Sequence, residues 1–115
     1  MDIQNQPVGE TAVLDIAGKV TIGYDAQMRD AIEEASGAGA QNILLNMSRV
    51  SKLDSSGVGE LVAAHNRIKE RGGRLLLVAL PNRLATVLQI TNLMGVLEIY
   101  SNIEEALTAL DVSED

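Results

Sequence analysis

The sequence contains no cysteine, phenylalanine or tryptophan, and its only aromatic residues are Tyr24 and Tyr100. The absence of cysteine excludes disulfides and thiolate metal sites. It also means that the sequence does not indicate whether the protein works in an oxidising or a reducing compartment. Because 46% of the residues are nevertheless hydrophobic, the core must be built from leucine, isoleucine, valine, methionine and alanine. The 115 residues are few enough for one domain. We expect its core to run from about Val8 to about Leu110, with an acidic tail behind it.

Long apolar runs and a basic leader are also lacking. The first residues, Met1–Gln6, are mostly polar, whereas a secretory signal combines a basic start with an apolar stretch. No apolar run approaches the roughly 20 residues that a membrane-spanning helix requires. We therefore expect a soluble, cytoplasmic protein that has no membrane partner.

Positive charge is scarce, because the formal net charge is −7. Proteins bind nucleic acids through basic surfaces that displace counterions from the phosphates. The densest basic run extends from Arg67 to Arg74, but Glu70 interrupts it and no aromatic residue accompanies it for base stacking. This run is interpreted as the solvated face of a helix, and no nucleic-acid partner is expected.

Hydrophobic periodicity and turn residues predict alternating strands and helices. The predicted strands are Asp2–Gln6, Thr11–Ile16, Asn42–Met47, Arg74–Ala79 and Val96–Tyr100, with a loop at Ser48–Leu53. The predicted helices run from Asp25 to about Ala35, from Ser56 to Gly72-Gly73, from Asn82 to Thr91, and to about Leu110 from a capping box formed by Ser101 and Glu104. This order predicts an α/β fold with about four helices and a small mixed sheet, in which an antiparallel first hairpin precedes parallel strands.

The segment Asp54-Ser55-Ser56-Gly57-Val58-Gly59 joins a buried strand to a helix. Asp54 stands where its carboxylate can cap the free N–H groups of the first helical turn. The carboxyl ends of strands in α/β sheets are also where sites are usually built. Gly57 and Gly59 each cost the helix roughly 1 kcal/mol relative to alanine. Two explanations stay open: tight packing of the helix on the sheet, or close approach of another molecule.

Enzyme active sites fit this segment poorly. A phosphate-binding loop would need lysine directly after its last glycine, and Glu60 stands there. A serine nucleophile would need His65, the sole histidine, as its base. At 1.5 Å per residue the two side chains lie about 15 Å apart along a helix, whereas hydrogen bonds reach about 3 Å. No catalytic residue and no cofactor is therefore expected.

A phosphoacceptor aspartate is a further alternative, because Asp54 follows the third predicted strand. That chemistry requires additional carboxylates to hold Mg²⁺ and a lysine after a late strand. The strand around Asp15 offers no acidic pair, and no lysine follows Val96–Tyr100. The sequence therefore predicts neither this reaction nor a metal site.

Residues 54–61 resemble the Asp-Ser-Ser-Gly-aliphatic-Gly-x-aliphatic signature of STAS domains, specifically the stand-alone bacterial anti-sigma-factor antagonists. The segment Ile43–Leu53, the Gly72-Gly73 pair and the segment Leu88–Thr91 after Pro81 are similar to the family as well. The resemblance runs from about Val8 to about Leu110, so that a STAS-like single domain over residues 1–115 is implied.

The resemblance implies a binding protein that is switched by phosphorylation. Its partner would be an anti-sigma factor that is also an ATP-dependent serine kinase, and binding would release the sigma factor. The kinase would phosphorylate the first serine of the signature, Ser55, with Ser56 as the alternative, and thereby end binding. A PP2C-type phosphatase would reset the system. The chain itself is expected to be a monomer or weak homodimer.

A partner-binding surface is predicted from the signature and from the outward side of the helix. It comprises Asp54, Ser55, Ser56, Gly57, Gly59, Glu60 and Ala63, with Gly23 and Tyr24 at its edge. The loop Gly18–Asp25 departs from the family's Gly-Glu/Asp-aliphatic-Asp pattern. Because this loop is expected to help select the partner, the target need not be a sigma-factor system. A scaffold subunit of a larger signalling complex is the alternative.

Overall fold

The computed structural model describes residues 1–90 and 95–113, and within them strands and helices alternate after a first pair of strands. The strands are β1 (Asp2–Val8), β2 (Thr11–Val20), β3 (Asn42–Leu53), β4 (Leu75–Val78) and β5 (Glu98–Tyr100). The helices are α1 (Asp25–Gly37), α2 (Ser55–Glu70), α3 (Asn82–Ile90) and α4 (Ile103–Ser113). The predicted end of the third helix at Thr91, and Glu114 and Asp115 of the acidic tail, lie outside the described residues.

The described strands form one sheet in the order β1-β2-β3-β4-β5. β1 runs antiparallel to β2, and each later neighbour pair is parallel. The predicted mixed sheet with an antiparallel first hairpin is therefore confirmed. Pro7, which cannot donate a ladder hydrogen bond, lies in the edge strand β1, where proline is tolerated.

The sheet carries apolar side chains on both faces, because helices cover both. Leu45 belongs to the larger cluster, which the helices α1, α2 and α3 cover, whereas its neighbour Leu44 belongs to a smaller cluster beneath α4. Both leucines are fully buried. This two-sided burial explains why β3 begins as a continuous apolar run.

Each helix contributes one apolar side to these clusters. The longest described helix, α2, has 16 residues, and α1 buries Met28, Ile32 and Ala35 at helical spacing. None of the helices within residues 1–90 and 95–113 has both the length and the apolar character that crossing a membrane requires.

The predicted loop at Ser48–Leu53 is wrong, because β3 continues through these residues. Two register shifts interrupt its pairing with β2. As a result Met47, Val50 and Leu53 are the buried positions, and burial recurs at every third residue instead of every second. Such bulges remove the alternation by which a strand is recognised in a sequence.

The last part of β3 extends past the end of β4. β4 pairs with β3 only as far as Asn46, whereas β2 pairs with it up to Leu53. On the side where β4 has ended, Arg83 of α3 donates to the Ser51 carbonyl at 2.8 Å. We call residues 17–20 of β2 and 49–53 of β3 the two-strand extension. Asp54 follows directly after the β3 part of this extension.

The last helix is capped one residue later than predicted. The side chain of Asn102, rather than that of Ser101, accepts from a backbone N–H of the first turn, that of Glu105, at 2.8 Å. The Glu105 carboxylate in turn accepts from the Ser101 N–H at 3.3 Å. Both serine and asparagine are good N-caps, so the sequence pattern alone favoured the wrong neighbour.

Replacing Asn102 by alanine should therefore lower the free energy of unfolding by about 1 kcal/mol, the usual effect of losing an N-cap. Ser101→Ala is the matched control and should change stability little, because the backbone N–H that makes the contact is retained. Urea unfolding of both variants measures the difference. A larger loss of stability in Ser101→Ala than in Asn102→Ala would show that Ser101 is the N-cap, as the sequence predicts.

Candidate functional site

Asp54 joins three parts of the chain at the point where β3 ends and α2 begins. Its backbone is extended, and its Oδ1 accepts from the Gly57 N–H at 3.0 Å, so it is the N-cap of α2. Its Oδ2 accepts from the Ile22 N–H, also at 3.0 Å. One carboxylate therefore fixes both the first turn of α2 and the loop that follows β2.

The two backbone donors also set the acidity of this carboxyl. The hydrogen bond from the Ile22 N–H, followed by that from the Gly57 N–H, lowers the pKa of Asp54 below its ordinary value of 3.8. Hydrogen bonds to the ionised form favour that form. The carboxylate is consequently charged throughout the neutral range.

The two serines of the signature differ in exposure. Ser55 is exposed, whereas Ser56 is partly buried. α2 begins at Ser55, one residue earlier than predicted. The Ser55 side chain is thus accessible to another protein at the end of a helix whose free N–H groups favour negative charge.

Gly57 and Gly59 have different roles. A Cβ atom at Gly57 would lie 2.1 Å from the Val20 carbonyl oxygen and 2.8 Å from a methyl group of Leu53. At Gly59 a Cβ atom would meet nothing within 4 Å. Tight packing therefore explains Gly57, and open space in front of the helix is compatible with close approach of a partner at Gly59.

Glu60 lies inside the protein, with only 8% of its surface exposed. Its Oε1 forms an ion pair with Arg67 at 2.8 Å, and Arg67 also pairs with Glu33 of α1 at 2.8 Å. The prediction that Gly57 and Glu60 both face outward is wrong. Residue 60 lies three positions after one buried residue, Gly57, and four before another, Ala64, so it shares the buried side of the helix.

The loop after β2 forms a tight turn beside Asp54. The Tyr24 N–H donates to the Thr21 carbonyl at 2.9 Å, and Gly23 has a φ of 92°. A glycine of positive φ at the third position is typical of a type II turn. We call residues 21–24 the 21–24 turn. The hydrogen bond between Ile22 and Asp54 brings Gly23 and Tyr24 to the edge of the site. Ile22 itself is not among the residues that the sequence predicts for the binding surface.

His65 stands ten positions after Ser55 in the same continuous helix, so the separation of about 15 Å expected from helical rise applies. It lines a cavity of about 280 Å³ together with Lys69 and Glu98.

Ala63, the last residue of the predicted binding surface on α2, is partly buried. Within residues 1–90 and 95–113, no three His, Cys, Asp or Glu side chains are grouped so that they could hold a metal ion.

The two glycines provide a matched pair of substitutions in one helical turn. Gly57→Ala should lower the free energy of unfolding by about 1–3 kcal/mol, because the added methyl group collides with the backbone of β2. Gly59→Ala should raise it by up to about 1 kcal/mol, since alanine favours the helix and the space is open. Chemical denaturation tests both. Equal effects of the two substitutions would refute this assignment.

The carboxylate of Asp54 predicts a dependence of stability on pH. Because folding lowers its pKa, its stabilising effect is complete above the pKa of the unfolded chain and is lost as the pH falls through the folded value. The wild type should therefore exceed Asp54→Asn in free energy of unfolding by a constant amount at neutral pH. This difference should shrink below about pH 5. A difference that persists unchanged down to the acid transition would contradict the prediction.

Comparisons with known proteins show which proteins this chain resembles. The family model described as STAS domain matches residues 2–106. A protein of Thermotoga neapolitana is 37% identical over 75 residues, which are 65% of this chain and 66% of that protein. The anti-sigma-B factor antagonist of Bacillus subtilis is 29% identical over 91 residues, or 79% of this chain and 83% of the relative.

Solved structures show the same likeness. The anti-sigma factor antagonist SpoIIAA in its unphosphorylated form has a TM-score of 0.79 and 27% identity, with 96% of each chain covered. The phosphorylated form of SpoIIAA from Bacillus has a TM-score of 0.70 and 26% identity, with 95% of this chain and 99% of that chain covered. Sequence and structure agree over most of the chain, which therefore belongs to the STAS domain family.

Proposed function

We propose that this chain is an anti-sigma factor antagonist that binds an anti-sigma factor with serine kinase activity and is switched off by phosphorylation of Ser55. The observation that carries the proposal is the position of Ser55. It is exposed at the first position of α2, directly after the carboxylate that ties this helix to the 21–24 turn. The names of the B. subtilis relative and of SpoIIAA support the class of partner.

Ser55 is preferred over Ser56 on structural grounds. A kinase must reach the hydroxyl that it modifies, and Ser55 is the more exposed of the two residues. A phosphate at the start of a helix is well tolerated by the free N–H groups and the helix dipole. One of the similar solved structures is SpoIIAA in its phosphorylated form, which supports regulation of this chain by phosphorylation.

The proposed binding surface is narrower than the sequence suggested. It keeps the exposed or partly exposed residues Asp54, Ser55, Ser56, Gly59, Ala63, Gly23 and Tyr24. Gly57 and Glu60 support it from beneath, through packing on β2 and through the ion pair with Arg67. These two residues therefore shape the surface without forming part of it.

A phosphate on Ser55 would act mainly at the interface. It adds about −1.5 to −2 charges next to the ionised Asp54. Burying such a charge against a partner without compensation costs roughly 3–5 kcal/mol. This corresponds to a loss of about two to four decades of affinity. Binding could therefore be switched off while the fold stays unchanged.

The remaining parts of the proposal concern the cycle in the cell. The chain acts by binding and not as an enzyme, a PP2C-type phosphatase removes the phosphate, and the cycle takes place in the cytoplasm. The protein works as a monomer or weak homodimer. No cofactor is needed in this scheme, because the chemistry is performed by the partner kinase and the phosphatase.

Ser55→Asp should weaken binding to the partner by about two to four decades, because it places a fixed charge in the contact. Recombinant anti-sigma factor kinases of the source cell serve as probes in calorimetric titrations. Ser55→Ala is the control that keeps binding but accepts no phosphate. Ser56→Ala should be phosphorylated like the wild type. All three variants should melt within a few degrees of the wild type.

Two results would overturn the proposal. One is wild-type affinity in Ser55→Asp, and the other is a phosphate found on Ser56 when Ser55 is intact. If none of the kinases binds the wild type and the chain elutes from a sizing column as part of a very large particle, the scaffold alternative is favoured instead.

A further inference from the structure

Two isoleucines are the most exposed large hydrophobic residues within residues 1–90 and 95–111. Ile22 and Ile90 each expose 76% of their surface. Single exposed apolar side chains are common in proteins and indicate no function by themselves. Position and rigidity must therefore distinguish an interaction residue from an ordinary surface residue.

The backbone around Ile22 is held in place by several hydrogen bonds. The Ile22 N–H donates to Asp54, and the N–H groups of Tyr24 and Asp25 both donate to the Thr21 carbonyl, at 2.9 and 3.1 Å. Thr21 itself is buried. Ile22 consequently stands at the tip of a preformed turn. A side chain presented in this way loses little backbone freedom when a partner covers it, which favours affinity.

Ile22 is also linked directly to the proposed switch. The carboxylate that accepts its N–H belongs to Asp54, the residue before Ser55, and its other oxygen caps the helix that Ser55 begins. Tyr24 lies in the same turn with 43% of its surface exposed. Ile90, by contrast, is the last residue of α3. Only one of the two exposed isoleucines is therefore fixed to the functional site.

We propose that Ile22 is the apolar anchor of the partner interface and, with Tyr24 beside it, fills an apolar pocket on the anti-sigma factor kinase. This inference rests on the proposed function and adds a division of roles to it. Burial of Ile22 supplies affinity, and Ser55 supplies regulation. Binding energy is commonly concentrated in a few such residues that are fully covered in the complex.

The anchor should act on recognition and not on phosphoryl transfer. The contact proposed for Ile22 is made to the surface of the kinase, before and during the reaction alike. Interactions that stabilise the bound substrate and the transition state equally change KM while leaving kcat unaltered. The kinase reaction on Ser55 therefore provides a second readout, which a merely structural role of Ile22 would not produce.

The test compares Ile22→Ala with Ile90→Ala, since both side chains have the same exposure. The probe is the recombinant anti-sigma factor kinase that binds the wild type most tightly. Ile22→Ala should weaken its binding by about 10- to 100-fold, the effect of truncating a residue that carries much of the binding energy. It should also raise KM for phosphorylation at unchanged kcat. Ile90→Ala should alter the Kd by less than about twofold, and Ile22→Val should restore most of the affinity.

The outcomes separate this inference from the proposed function. If Ser55→Asp abolishes binding but Ile22→Ala binds like the wild type, the anchor is refuted and the switch stands. If Ile90→Ala weakens binding as much as Ile22→Ala, position near Ser55 is irrelevant and the anchor is also refuted. If no kinase of the source cell binds the wild type, both proposals fall together. Melting temperatures exclude loss of folding as the cause.

Discussion

The double hydrogen bond of the Asp54 carboxylate is the interaction on which the arrangement of this molecule's site depends. It is accepted from N–H groups that are far apart in the chain, in Ile22 and Gly57. It ties the start of the helix directly to the neighbouring turn. With it, the first turn of α2 and the tip of the 21–24 turn keep a fixed relation, so that a partner meets one continuous surface instead of two independent loops.

Beneath this surface, packing and charge hold α2 in position. Gly57 lets the helix approach β2 so closely that no side chain fits between them. Farther along, Arg67 pairs with Glu60 of its own helix and with Glu33 of α1. Both features set the depth and angle of the helix. The exposed side of the helix has no side chain at Gly59. The helix is therefore held firmly on the side that packs against the sheet, and its exposed side is accessible to a partner.

The sequence predicted the features that depend on neighbouring residues. The alternation of strands and helices, the antiparallel first hairpin and the N-cap role of Asp54 all follow from local patterns. The contact between Ile22 and Asp54 was not predictable, because it depends on the register of β2 and β3. The burial of Glu60 requires a positively charged partner that the pattern alone does not identify. The continuation of β3 was hidden, since its bulges remove the alternation of buried and exposed residues.

The two-strand extension affects how the partner specificity of such a protein can evolve. Where β3 runs beyond β4, β2 is its one strand neighbour among the described residues, and Arg83 of α3 donates to its Ser51 carbonyl. The 21–24 turn follows the end of β2 in this extension, and Ile22, Gly23 and Tyr24 are exposed. Residue replacements at that tip disturb few core contacts. Duplicated copies of the gene could therefore acquire different partners at the tip and retain the same stable body.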